Sequence, residues 1–107
     1  MNLLVDEGLP QQLKHYFPGN YAATIGYMGW RGIKNGKLLG LAEAQGFDVL
    51  LTADQNLPFQ QNISKRKIAV IVLVARDIQL ETLEVLVPAI HEALEAIGAG
   101  EVAYVRA

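Results

Sequence analysis

The chain has 107 residues, 51% of them hydrophobic and 19% charged, with a net charge of −2. One domain of this size holds enough apolar material for a core, which excludes intrinsic disorder. The near-neutral balance excludes a global basic field for nucleic acid, so any such contact rests on a local patch. The absence of cysteine excludes disulfides, thiolate metal sites and cysteine nucleophiles, and suits a reducing cytoplasm.

No basic leader precedes an apolar stretch at the N-terminus, so no secretory signal is expected. The longest apolar run, IAVIVLVA at 68–75, is far short of a bilayer span of roughly 20 residues. The expectation is a soluble cytoplasmic protein with no membrane partner.

In chain order, NLLV at 2–5 reads as a buried strand that stops at Asp6, Glu7 and Gly8. Pro10 suits the first turn of a helix, where its missing N–H would be unpaired anyway, and that helix is predicted to run to Phe17 before Pro18-Gly19. YAATI at 21–25 is a second strand, followed by the glycine-rich loop GYMGWRGIKNG at 26–36. Asn35 is predicted to cap the next helix with its side-chain oxygen. Leu38, Leu39, Leu41 and Ala42 give that helix its apolar stripe, and Gly46 closes it. DVLLT at 48–52 is a third strand, and a polar loop is expected over 53–67. The run at 68–75 is apolar on both faces, so it reads as a central parallel strand. Leu83, Leu86, Val87, Ile90, Leu94 and Ile97 recur at helical spacing, with Pro88 predicted to kink that helix. EVAYVR at 101–106 is a last strand. Strands alternating with helices predict an α/β, Rossmann-like, three-layer fold with a mainly parallel sheet flanked by helices, in a single domain.

In such sheets ligands bind beyond the carboxyl ends of the strands. Asp6 follows the first strand and Asp54 the third, so both belong to one rim if those strands are neighbours. Asn35 opens the helix that leads into the third strand. Two carboxylates and an amide oxygen are hard donors suited to Mg²⁺ or Mn²⁺. Each residue also has an ordinary use, because Asp and Asn are common turn and cap residues. The repeat of the pattern at two strand ends (LLVDEGLP and LLTADQNLP) is what favours a site. His15 and His91 share no ligand spacing. Trp30 and Tyr27 are aromatic enough to stack on a base, but anchoring their loop is the commoner use. SKRK at 64–67 is the one basic run, and it would hold phosphates if it faced the same rim.

The segments LLVDEGLP, GWRGIKNGKLLGLAEAQGFDVLLTADQNLPFQQN and IAVIVL resemble the small PIN-like proteins of bacteria, relatives of the toxin ribonucleases of toxin–antitoxin pairs. The resemblance spans nearly the whole chain. It implies a PIN-type fold and a Mg²⁺- or Mn²⁺-dependent endoribonuclease. Asp6 would match the acid after the first strand and Asp54 the acid of a T-x-D motif after the third. Asn35 stands where such nucleases carry an aspartate. Glu7 would substitute for a further acid that the chain lacks, and Glu43 is expected on the surface. Asp6 and Asp54 are thus the implied metal ligands, with Asn35 and Glu7 beside them in the catalytic set. Lys65, Arg66, Lys67 and Arg31 are the cations for an RNA backbone. The implied partners are RNA, an antitoxin protein or a second copy of the chain.

An alternative is a non-catalytic PIN-like module that binds a protein or nucleic acid, which the amide at Asn35 favours. A phospho-receiver shares the acids after strands one and three. It also needs Ser or Thr after strand four and Lys after strand five, where this chain has VARD and YVRA.

Overall fold

The apolar runs become the strands of a single five-stranded sheet, in a computed structural model that describes residues 1–107. The strands are β1 (Asn2–Val5), β2 (Tyr21–Thr24), β3 (Val49–Thr52), β4 (Ala69–Val74) and β5 (Val102–Arg106). Their order is β2-β1-β3-β4-β5, and every adjacent pair is parallel. The helices are α1 (Asn35–Gln45), α2 (Leu57–Gln60), α3 (Leu80–Glu84) and α4 (Val87–Ala96). This is the Rossmann-like α/β architecture, in one of the two common doubly wound strand orders.

Strand alternation divides the core in two. Leu3, Val5, Ile71 and Leu73 face Leu13 and Phe17 on one side, together with Leu83, Leu86, Ile90 and Leu94 from α3 and α4. Leu4, Leu50, Val70 and Val72 face the other side, against Leu38, Leu39 and Ala42 of α1 and Leu57 of α2. Val70, Ile71 and Val72 are fully buried, so β4 is covered on both faces, as its unbroken apolar run predicts. Each such side chain contributes about 1.5–3 kcal/mol of burial. No helix is long and apolar enough to cross a membrane.

Several local expectations are corrected. The segment after Pro10 is a 3-10 helix over Gln11–Tyr16, not an α-helix. Leu13 N–H bonds Pro10 C=O three residues back, and Pro18 leaves too little chain for an α-helical ladder. Pro88 does not kink a helix from inside. A continuous helix would need a Pro88 N–H, so the chain breaks after Glu84 and Pro88 becomes the second residue of α4. The expected polar loop at 53–67 holds α2 and a short 3-10 turn at Ile63–Lys65. Asn35 is not the cap of α1. Lys34 occupies that position, and no side chain caps the helix. Gly46 closes α1 in the left-handed region at φ 91°, as expected.

Candidate functional site

An all-parallel sheet gathers the carboxyl ends of its strands along one edge. β1 lies between β2 and β3, so the chain's direction of travel across the sheet reverses there, and the crevice of the fold opens at that point. Asp6 and Asp54 emerge on either side of it.

Asp6 prolongs the sheet by one bond, its N–H reaching Leu51 C=O at 2.9 Å. Its Oδ1 accepts the Glu7 N–H at 2.9 Å, and its Oδ2 accepts the Thr52 hydroxyl at 2.6 Å. Thr52 is fully buried, and its Oγ1 also accepts the Asp54 N–H at 3.0 Å. One hydroxyl therefore joins the ends of β1 and β3. Asp54 turns its Oδ1 to the Asn56 N–H at 2.9 Å, the Asx turn that leads into α2.

Burial pushes the Asp6 carboxyl above its ordinary value. The bonds from Thr52 and Glu7 N–H oppose this, while the charges of Glu7 and Asp54 add to it. No cation pairs with Asp6, Glu7 or Asp54: the two ion pairs of the protein are Arg66–Glu43 and Arg76–Asp77. The rim carries three acids and no countercharge in contact.

Beside it lies a polar hollow of about 450 Å³, lined by Glu7, Gly32, Lys34, Asn35, Gln60 and Gln61 among others. Glu7 Oε1 accepts the Gly32 N–H at 3.4 Å. Asn35 lines the hollow with a side chain that caps nothing. The start of α1 and the segment after α2 thus meet over the rim.

The structure brings Asp6 and Asp54 together through Thr52, with Glu7 and Asn35 in the adjoining hollow. Arg31 belongs to the loop that leaves the carboxyl end of β2. The basic run lies elsewhere. Lys65, Arg66 and Lys67 precede β4 and pack near Gly100, which precedes β5, so they stand at the amino end of the sheet. Arg66 is also engaged: its Nη1 bonds Glu43 at 2.8 Å and its Nη2 bonds Gly36 C=O at 3.2 Å. Glu43, expected on the surface, is largely buried in this clamp, with 18% of its side chain exposed. Trp30 anchors its loop edge-on against Phe47, ring centroids 6.0 Å apart, while Tyr27 is exposed.

Thr52, named in the sequence only as the first residue of the T-x-D motif, is the hydroxyl that joins the two acids. Its signal was its place as the last residue of a buried strand, two before an aspartate.

No three histidines or acids converge closely enough to form a ready-made metal site. Magnesium does not need one, since it is commonly held by one or two carboxylates and several waters. The donors fit that demand. Each bonded oxygen of Asp6 keeps a second lone pair, and Asp54 Oδ2 accepts no bond.

Family models, curated proteins and solved structures were compared with the chain, and none matches it.

Proposed function

We propose that this protein is a PIN-like, divalent-metal-dependent endoribonuclease with a reduced acidic site at the β1/β3 rim. The observation that carries this is Asp6: a largely buried carboxylate with a raised pKa, tied by Thr52 to Asp54, with no cation in contact. An acid whose pKa burial and neighbouring charges raise, set at the carboxyl rim of a parallel sheet, is a candidate functional group.

Asp6 and Asp54 would hold Mg²⁺ or Mn²⁺, with Asn35 as a neutral oxygen donor across the hollow. When bound, the ion supplies positive charge against a phosphodiester and a more readily deprotonated water. The chain's own part is to fix the donors. Thr52 holds Asp6 in one rotamer and sets the backbone of Asp54. Glu7 lines the hollow and would be the acid there that could take a proton. RNA and an antitoxin protein are the partners that follow from a toxin's role.

The amide at Asn35 favours a second reading, a module of the same fold that binds RNA or protein without cutting. One experiment separates the two. Mn²⁺ is titrated calorimetrically into the wild type and Asp6→Ala, and both are incubated with structured RNAs. Saturable Mn²⁺ binding and cleavage that vanish together in Asp6→Ala support the nuclease. RNA binding with neither leaves the non-catalytic module.

A further inference from the structure

Gly26 carries an unexplained requirement. It stands just beyond the carboxyl end of β2, and its φ is not in the left-handed region that asks for glycine. What it provides is space. A Cβ at Gly26 would lie 2.5 Å from Arg31 Nη2 and 2.9 Å from both Cζ and Nε. Of the ten glycines, only this one would bring a Cβ within 3 Å of a side chain, so the guanidinium is seated on bare backbone that any other residue would cover.

The seat is rigid. Tyr27 N–H bonds Thr24 Oγ1 at 3.0 Å, Gly29 N–H bonds Gly26 C=O at 3.1 Å and Trp30 N–H bonds Ile25 C=O at 3.0 Å. Trp30 then pins the loop to Phe47. The position is also pointed. Ile25 N–H bonds Val5 C=O at 3.1 Å, so Gly26 lies one strand away from Asp6 and Glu7, about 5 Å across the sheet. Gly32, next to Arg31, donates to Glu7. Arg31 nevertheless pairs with no acid. A guanidinium is seated by shape on the strand next to the one that ends in Asp6 and Glu7, exposed and with its fork unspent.

We propose that Gly26 and Arg31 form a phosphodiester-positioning seat, in which the backbone at Gly26 aims the Arg31 fork at an RNA phosphate lying along the acidic rim. This deepens the nuclease reading and rests on its choice of substrate, but not on its chemistry. A planar fork takes two phosphate oxygens at once, which a mobile lysine cannot do. Arg31 is the binding residue and Gly26 the positioning residue.

The atoms that a Gly26 Cβ would strike are the far end of a flexible side chain. Gly26→Ala therefore folds, keeps the net charge and displaces the guanidinium. The test measures fluorescence anisotropy of a labelled single-stranded RNA with wild type, Gly26→Ala, Arg31→Ala and the double variant, in EDTA and again in Ca²⁺. Mn²⁺-dependent cleavage is followed separately, and thermal unfolding checks each fold. Gly26→Ala and Arg31→Ala are each expected to bind about ten-fold more weakly, and the double variant no worse than either. Each should lower the slope of log K against log salt by about 0.7, one phosphate contact on a single strand. Wild-type affinity in Gly26→Ala, or additive losses in the double variant, overturns the seat. So does a wild type that binds RNA in neither condition. If the binding pattern holds and Mn²⁺ gives no cleavage, the nuclease chemistry fails and the seat stands.

Discussion

Asp6 and Glu43 are both carboxylates taken largely out of water, and the protein treats them in opposite ways. Burial raises the pKa of each. At Glu43 the bonds from Arg66 and the Lys67 N–H outweigh that burial and hold the carboxyl below its ordinary value. At Asp6 the bonds from Thr52 and the Glu7 N–H do not, and two neighbouring acids work against it. The Glu43 end ties α1 to the segment entering β4 and is satisfied. The Asp6 end is left short of positive charge. A carboxylate that burial has pushed up, hydrogen-bonded but with no cation against it, is one whose charge a bound cation would stabilise.

The contrast breaks most sharply at Arg66. Arg66→Ala leaves Glu43 charged and largely buried, and frees Gly36 C=O. Stability should fall by about 2–3 kcal/mol in urea denaturation. A loss under about 0.5 kcal/mol would make the clamp an ordinary solvated pair.

Thr52→Val keeps the shape and removes the hydroxyl. Asp6 Oδ2 and the Asp54 N–H both lose their partner, which should cost about 1–2 kcal/mol. The Asp6 pKa should climb further, because the bond that lowers it is gone. Carbon-detected NMR titration of Asp6 reads this directly. An unmoved titration would mean that Thr52 does not tune the acid.

Gly40→Ala sharpens the contrast by strengthening one side only. Gly40 is inside α1, and a Cβ there would meet Arg66 Nη1 at an ordinary 3.8 Å. The gain should be about 0.5–1 kcal/mol from helix propensity. Mn²⁺ affinity should not change. If it does, the two ends of the sheet are coupled.

The subtlest test is one of sign. Glu43 has a lowered folded pKa, so its stabilisation is present above the ordinary glutamate value of 4.5 and is lost as pH falls through the folded value. The deficit of Glu43→Gln should therefore disappear in acid. Asp6 has a raised folded pKa, so its ionisation penalty is absent below the ordinary aspartate value of 3.8 and complete above the folded value. Asp6→Asn should gain stability over wild type as pH rises through that window and hold the gain at neutrality. Thermal melts of the three proteins across acid pH decide it. Parallel pH curves for the two variants would remove the distinction drawn between the acids.

The layers were legible in the apolar pattern alone. Alternating and unbroken apolar runs are local signals, and local periodicity is enough to place β1, β4, α1 and the parallel sheet. It also placed Asp6 and Asp54 at strand ends, because a strand's end is visible where an apolar run stops. It did not decide what those ends touch. That the strands carrying Asp6 and Asp54 are neighbours, joined through Thr52, is a matter of strand order. That Arg66 serves Glu43 follows from α1 and the segment before β4 packing side by side. Asn35 lost its role as a cap to Lys34, a shift of one residue that Asx side chains at a helix start leave open. The seat of Arg31 on Gly26 needs the four intervening loop residues to fold back, and no periodicity encodes that. Burial and charge partnership are sums over residues far apart in the chain, so the carboxylate paired with a cation is told from the one without only after the chain has folded.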